Sequence, residues 1–587
     1  MLLSRLEINN FRGIKSLSID FDGLTILIGE NNSGKSTVLD AIRIALSPGL
    51  GSRRGRQFTE YDFHLGDENA CPQNCESILI KVYLSERNPG EWAEEIIQQL
   101  DEVVQTALET GLGSIILQIQ GVFNEELGDI ETTYDFLNLQ GSALPRKNSS
   151  PLSIINRIVP LFFLSALRNA NDEFSKKGQF WNSFLKTIQL PDDDRKKLEE
   201  ELSRINNDIV SSNDGFIQVK EHIRKASKFV TLSSEESVVL EALPTRLFDM
   251  TGKVQVHLKS PLGATLPLYR HGEGTQSLAV LLLFQAFAAA NLKEIYLPHS
   301  TPILALEEPE AHLHPSAIRA FGDFFKDLPG QTMVASHSGD LLSRVSIPAV
   351  RRLYKNGADT FVGKVMLAPA GMRTDAIPPG TTLLFPEDLQ AIDYHIRLTR
   401  GAYLFSRCWL LVEGKTEFHL FPLIGELLGF SQDASSYSVL ELSQAEQKGE
   451  PFIKLAKSLG IQWFVLGDGD SDGSDYVTRA QKYLEPTESP DSRTKQLSQL
   501  TVEHEFWHNG FEDFIKNLLS DSLKREAIRD AAGDNDKLVK NMIKRAITVS
   551  GEKPGFALQL FDEIKRRGVD SLPTSIKDMF DKVKALL

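Results

Sequence analysis

Apolar residues in this chain recur in two registers. Short unbroken runs at residues 24–28, 301–306, 332–335, 408–412 and 463–466 are rich in Leu, Ile and Val and stop at Gly, Ser or an acid. Runs of that length predict buried strands of parallel sheets. After the first comes helical spacing in Val38, Ala41, Ile42 and Ala45, and after the fourth in Phe421, Leu423 and Leu427. Strand followed by helix, repeated, predicts an α/β fold. Between these segments Leu198, Leu202, Ile205 and Ile209 fall at helical spacing, and Phe216 and Ile223 continue one face after a turn at Asn213-Asp214-Gly215. This predicts a helical hairpin with an apolar seam, packed either on the parent domain or on a second copy of the chain. The longest apolar stretch, 278–290, is broken by Gln285. It falls short of the ~20 residues that span a bilayer and reads as a buried helix, so no membrane partner is expected.

A chain of 587 residues exceeds a single core and implies two or three domains. Residues 369–386 hold Pro378 and Pro379 with Gly371 and Gly380 and read as a connector, which sets domains at 1–385 and 386–587, with a helical insertion at about 175–245 in the first. The three cysteines, Cys71, Cys75 and Cys408, cannot build a disulfide framework and fit a reducing cytoplasm. Residues 1–11 carry Arg5 and Glu7 and lack a signal-peptide core. Cytoplasmic localisation is expected. The formal charge of −15 argues against a chain-wide basic coat. Local clusters are left as candidate backbone contacts: Arg53, Arg54 and Arg56; Lys544 and Arg545; Lys565, Arg566 and Arg567. Each is also an ordinary solvated face.

The first strand runs into Gly29-Glu30-Asn31-Asn32-Ser33-Gly34-Lys35-Ser36-Thr37, which meets every fixed position of G-x-x-x-x-G-K-[ST]. Gly34 lets the backbone approach phosphates at a helix N-terminus, Lys35 reaches the β and γ phosphates, and Ser36 binds Mg²⁺. The strand at 301–306 ends in Glu307-Glu308-Pro309-Glu310, where Glu307 is placed to hold Mg²⁺ through water and Glu308 to polarise the attacking water. His271-Gly272-Glu273-Gly274-Thr275-Gln276-Ser277 makes an anion-binding turn before the long apolar helix, and Ser336-His337-Ser338 offers a γ-phosphate sensor. In this order the pieces resemble the ATP-binding-cassette ATPases of the recombination and chromosome-maintenance type. The resemblance implies an ABC-type (RecF/SMC-like) fold in which Gly272, Gly274 and Gln276 complete the ATP site of another subunit, hence a homodimer or higher homo-oligomer. It also implies that His337 is the switch histidine, that Asn10-Phe11-Arg12-Gly13 is the N-terminal motif and that Gln57 is the Q-loop residue. His312 and His314 read as a turn after Glu310 rather than as metal ligands.

In the second half a strand ends in Glu413-Gly414-Lys415-Thr416-Glu417, with Thr416 as a candidate helix cap, and another ends in Asp468-Gly469-Asp470. Carboxylates at adjacent strand ends assemble ligand crevices, and an oxygen-only donor set favours Mg²⁺ or Mn²⁺. The pattern resembles the Rossmann-like Toprim domain, with Glu413 as its hallmark glutamate and Asp468 and Asp470 as its Asp-x-Asp. An ABC-type ATPase followed by a C-terminal Toprim domain with a helical extension is similar to the OLD (overcoming lysogenization defect) nucleases. That resemblance implies two Mg²⁺ or Mn²⁺ ions, completed by Glu505 or Glu512, and a late catalytic lysine at Lys553, for which a surface turn is the competing reading.

The resulting expectation is an ATPase and a metal-dependent DNA endonuclease or nickase, with Glu413, Glu417, Asp468, Asp470, Lys553 and Glu308 as catalytic groups and ATP setting assembly or DNA access. Family resemblance implies antiphage defence beside a helicase or a reverse transcriptase with its DNA product. The alternative is an ATP-switched DNA-binding or repair scaffold with a non-catalytic Toprim domain.

Overall fold

The computed structural model describes residues 1–46, 58–66, 70–145, 151–164, 191–212, 214–226, 242–246, 256–259, 263, 265–282, 285, 299–325, 328–372, 378, 380–442 and 449–587. Arg53, Arg54, Arg56, Gln57 and much of the 175–245 insertion lie outside these residues, as does most of 283–298.

Strands β1 (Leu2–Phe11) and β2 (Ile14–Asp20) pair antiparallel. Their tight turn uses positive φ at Asn10 and Arg12. Arg12 bonds Asp40 and Asp62 there, so the Asn-Phe-Arg motif braces the hairpin against the helix of the phosphate loop. The next strand, β3 (Leu24–Gly29), leads into α1 (Lys35–Leu46), which buries Val38, Leu39, Ala41, Ile42 and Ala45. With β4 (Ile78–Ser85), β5 (Gly113–Asn124) and β6 (Asp129–Leu137) the first sheet is antiparallel, in the order β2-β1-β4-β5, with β6 beyond β5. Alternate burial of Ile78, Ile80, Val82 and Leu84 shows the one-sided face expected of such a sheet.

The second sheet joins β3 to β7 (Leu161–Leu164), β8 (Ile303–Glu307), β9 (Gln331–Ala335), β10 (Val350–Asn356) and β11 (Asp359–Lys364) in the order β11-β10-β3-β9-β8-β7. All pairs are parallel except β10–β11. Leu27 pairs with Ala335, and Ala335 with Glu307. The register therefore brings the phosphate loop, Glu307 and His337 to one end of the sheet. Inside the insertion, α2 (Asp192–Ser211) and α3 (Asp214–Ala226) form the expected hairpin, with Leu198, Ile205, Phe216 and Ile217 exposed.

The connector leads to α4 (Pro386–Thr399). A second α/β unit then comprises β12 (Cys408–Val412), α5 (Lys415–Leu427), β13 (Tyr437–Glu441), α6 (Glu450–Leu459), β14 (Gln462–Gly467), α7 (Ser471–Gln481) and β15 (Thr494–Gln496). Its four strands are parallel, in the order β13-β12-β14-β15. Helices α8 (Val502–Phe506), α9 (Glu512–Asn517), α10 (Asp521–Ala531), α11 (Asn535–Val549), α12 (Glu552–Arg567) and α13 (Thr574–Ala585) follow. Phe556, Leu560, Met579 and Phe580 pack with Leu420, Phe421 and Ile424 of α5 in one core, which places the start of α12 near the strand ends.

The two α/β units are fused more tightly than a Pro/Gly-rich connector suggests. One hydrophobic core runs from Ile26 and Val350 to Trp409, Phe452 and Leu459. Across it the buried Arg352 guanidinium donates to the carbonyls of Ser406, Leu459 and Gly460, and burial lowers its pKa to about 10. A Cβ on Gly363 would stand 2.5 Å from Leu459 Cα. Gly363→Ala is thus expected to lower stability by about 1–3 kcal/mol through overpacking, measurable as a drop in melting temperature. Arg407, just before β12, lies with Nε 3.4 Å from Glu30 Oε1 of the phosphate loop and also donates to the Leu587 carbonyl at 3.0 Å. Among the described residues no helix is long and apolar enough to cross a membrane.

Candidate functional site

The phosphate cradle depends on two glycines. Gly34 has φ +103°, and a Cβ on Gly29 (φ +146°) would lie 2.1 Å from the Leu353 carbonyl oxygen. Lys35 folds over its own loop, donating to the carbonyls of Gly29 (2.9 Å) and Glu30 (2.8 Å). Burial pushes its ammonium down to about 8, against the pull of Glu308 and Glu310. Asn31, Asn32 and Ser36 are exposed at the mouth of the loop, with Thr37 half-buried and the Ser33 hydroxyl buried without a hydrogen-bond partner. Oriented amides, a cationic side chain and an orphaned hydroxyl fit a bound nucleotide phosphate.

Glu307 closes β8, and Glu308 follows with φ +44°. The Glu308 Oε1 stands 3.9 Å from His337 Nε2, so the fold brings these two separately singled-out residues together. Burial and nearby Lys35 lower the His337 pKa. Glu310 has no distinguishing sequence signal, yet it organises the site. Its Oε1 accepts from the Ser336 hydroxyl (2.8 Å) and the His337 N–H (2.7 Å), while its Oε2 is buried without a partner. Burial raises its pKa. Gly272, Gly274 and Gln276 open a helix elsewhere. A Cβ on Gly274 would meet the His312 carbonyl at 2.5 Å, and Gln276 donates to the His271 carbonyl. Among the described residues no hydrogen bond links them to the cradle of their own chain. His312 pairs with Glu273 and His314 with Ser316, consistent with a turn.

The second site lies where β12 and β14 end side by side, Val412 opposite Leu466. Glu413 follows Val412 and accepts the Asp468 N–H on Oε1 at 2.8 Å. Gly414, rather than Thr416, is the N-cap of α5, and its missing side chain leaves room for Glu417, whose Oε2 would lie 2.4 Å from a Cβ there. Glu417 is buried, and its Oε2 has no hydrogen-bond partner. Burial, then repulsion from neighbouring acids, raises the pKa of Glu417 and of Asp468. The neighbours are Glu503 and Glu413 for Glu417, and Glu417, Glu413 and Glu503 for Asp468. Asp470 caps α7, its Oδ1 accepting from Gly473 N–H at 2.9 Å.

The fourth acid of the pocket is neither of the two expected. Glu505 turns to Ser498 (3.0 Å) and Ser575 (2.6 Å), and Glu512 pairs on the surface with Lys516. Glu503 enters instead. Its carboxylate accepts from the Thr416 and Thr501 hydroxyls, each at 2.5 Å, and Lys553 Nζ stands 3.8 Å away. Lys553 is therefore part of the pocket rather than of a free surface turn. Burial works against its charge, but Glu503, Glu417 and Asp468 outweigh that and raise its pKa. All five residues of α8 are buried, so helical periodicity cannot tell Glu503 from Glu505.

Among the described residues no three acids, histidines or cysteines already stand in a metal-holding arrangement. Glu413, Asp470 and Glu503 are instead occupied by protein donors. A crowd of buried carboxyls with an orphaned Glu417 oxygen is nonetheless the donor chemistry that a hard divalent cation satisfies.

Residues 1–402 match the family model described as a protein of unknown function (DUF2813). The chain belongs to the DUF2813 family. Residues 404–470 match the Toprim domain of overcoming-lysogenization-defect-like proteins, which makes this DUF2813 member an OLD-family ATPase–Toprim protein. Over 584 residues, 99% of this chain and 98% of the relative, it is 27% identical to the uncharacterized protein YbjD of Escherichia coli (strain K12). It is 23% identical to the Old nuclease of Escherichia phage P2 over 80% of this chain and 77% of that one. It is also 23% identical to the OLD nuclease of Thermus scotoductus, over 80% and 82%.

Proposed function

We propose that this protein is an ATP-regulated, divalent-metal-dependent DNA endonuclease or nickase, serving in antiphage defence. The observation that carries the reading is the meeting of Glu413, Glu417, Asp468 and Glu503 with Lys553 at the carboxyl ends of parallel strands. Those four acids, with Asp470 released from its cap, would hold Mg²⁺ or Mn²⁺. A divalent cation bound there supplies Lewis acidity and a lowered pKa for water. Lys553 adds positive charge where the phosphate gains negative charge. Gly34, Lys35 and Ser36 would hold ATP with Mg²⁺, Glu307 its metal and Glu308 the attacking water. The signature at 272–276 would act on a second copy, and the exposed seam of Leu198, Ile205 and Phe216 is a candidate dimer contact.

DNA would approach over α11, where Lys537, Lys540 and Lys544 are exposed on one face. Of the basic clusters expected from sequence, Arg545 is neutralised by Asp530, and Arg566 and Arg567 by Glu563. The helical extension nevertheless stands apart in charge: residues 501–587 hold 15 Lys and Arg and 15 Asp and Glu, so the whole excess of acid lies before them.

The test is cleavage of supercoiled plasmid in Mg²⁺ or Mn²⁺ by the wild type, Glu413→Ala and Lys35→Ala, each with and without ATP. Cutting lost in Glu413→Ala is expected, and the Lys35→Ala lanes read the sign of nucleotide control. ATP hydrolysis without cutting under any condition would favour the scaffold reading instead.

A further inference from the structure

We infer that His504 is a positioning residue for the acid pocket: it holds the Thr501 hydroxyl so that the hydroxyl's single proton is committed to Glu503. The inference rests on the nuclease reading above and deepens it. Thr501 Oγ1 stands 2.5 Å from Glu503 Oε2 and 2.9 Å from His504 Nδ1. A hydroxyl has one proton to give, and an ionised carboxylate only accepts. The Thr501 proton therefore goes to Glu503, and Nδ1 must carry the ring proton and donate it to Thr501. The opposite assignment would set two oxygen lone-pair regions against each other at 2.5 Å in a buried place, which is costly.

This accounting fixes the tautomer. Nε2 is left as a bare acceptor, and it is buried without a hydrogen-bond partner. Burying such a nitrogen costs about 1–3 kcal/mol, so a residue kept merely to fill space would do better as Leu or Phe. What histidine supplies here that Leu or Phe cannot is the Nδ1–H to Thr501. The effect reaches the pocket directly. Thr416 donates to Glu503 Oε1 and Thr501 to Oε2, so each oxygen is aimed by one hydroxyl and keeps a lone pair for a cation. Remove the His504 donor and Thr501 keeps Glu503 as its acceptor but loses the second bond that fixes its own side chain, so the hydroxyl that aims Oε2 is held less tightly. Ligand-orienting groups of this kind are worth about 10–100-fold in metal affinity.

The experiment uses the full chain and reads Mn²⁺ binding without DNA, as the Mn²⁺ concentration giving half-maximal thermal stabilisation, alongside plasmid cutting. An Asn amide can stand where Nδ1–H stands, whereas a Gln amide takes the place of Nε2. His504→Asn is expected to stay within about threefold of wild type, and His504→Gln and His504→Leu to need about 10–100-fold more Mn²⁺. Thr501→Ser should retain the response and Thr501→Val should lose it, which tests the relay even if a His504 variant folds poorly. Melting in EDTA reports folding separately. A wild-type response matched by Gln, Leu and Val variants would overturn the inference, as would an Asn variant no better than Leu. A wild type with no Mn²⁺ response that depends on Glu413 overturns the nuclease reading itself, and the inference with it.

Discussion

Glu503→Gln is expected to abolish metal-dependent cutting as fully as Glu413→Ala, a loss on the order of 100-fold or more. The amide keeps the size of the side chain but gives up the charge and one acceptor oxygen. It also turns one face of a carboxylate that receives the Thr416 and Thr501 hydroxyls and neighbours Lys553 into a donor. Glu512→Gln, on the surface beside Lys516, should leave activity unchanged and shift stability by no more than about 0.5 kcal/mol. Glu505→Gln should lower stability by loosening its bonds to Ser498 and Ser575, with activity per folded molecule retained. Steady-state nicking by purified variants, normalised to the folded fraction, decides the matter. Full activity in Glu503→Gln beside an inactive Glu505→Gln would reverse the assignment.

The second large effect concerns pH. Glu417 and Asp468 have pKa values raised first by burial and then by neighbouring acids, chiefly Glu503 for Glu417 and Glu417 for Asp468. Above the ordinary carboxylate range of about 4, the folded, metal-free protein thus holds protons that the unfolded chain has released. With more protons bound in the native state, stability must fall as pH rises. The contribution of these groups is fully present below their unfolded pKa and is lost as pH climbs through their raised folded values. Melting temperature in EDTA is expected to drop steadily from about pH 5 upward, and Mg²⁺ or Mn²⁺ should restore it most at the alkaline end, while below the raised pKa values metal binding releases the protons these acids hold. Glu417→Gln removes one of the repelling charges. It should raise metal-free stability near pH 8 by about 1–3 kcal/mol while erasing most of the stabilisation by metal. A flat or rising melting temperature with pH in EDTA would contradict this account.

Much of both sites was legible because their chemistry is tied to local pattern. The strand–loop–helix around Lys35 and the strand ends carrying Glu307, Glu413 and Asp468 follow from short apolar runs bounded by glycine and acid. Those elements stand where the pattern put them. What escaped depends on tertiary packing. Glu310 reads as one more loop acid until β9 delivers Ser336 and His337 to it. Glu503 and Glu505 differ only in which way a wholly buried helix faces. The Thr416 hydroxyl reads as a cap because Ser and Thr are favoured N-cap residues, but Gly414 takes that place and leaves the hydroxyl for Glu503. The closeness of the two units was not legible for a related reason: proline and glycine mark irregular backbone and say nothing of contact, whereas Arg352 closes the junction across it.

Arg407 touches Glu30 of the phosphate loop, and the strand that begins with the next residue ends just before Glu413. Thermodynamics gives such a bridge no preferred direction. If nucleotide in the cradle changes how tightly the acid pocket takes a cation by some factor, cation in the pocket must change nucleotide affinity by that same factor. On the function proposed above, a chain wired this way would be a two-input device, responding to its nucleotide supply and equally reporting an engaged acid pocket back to the phosphate loop.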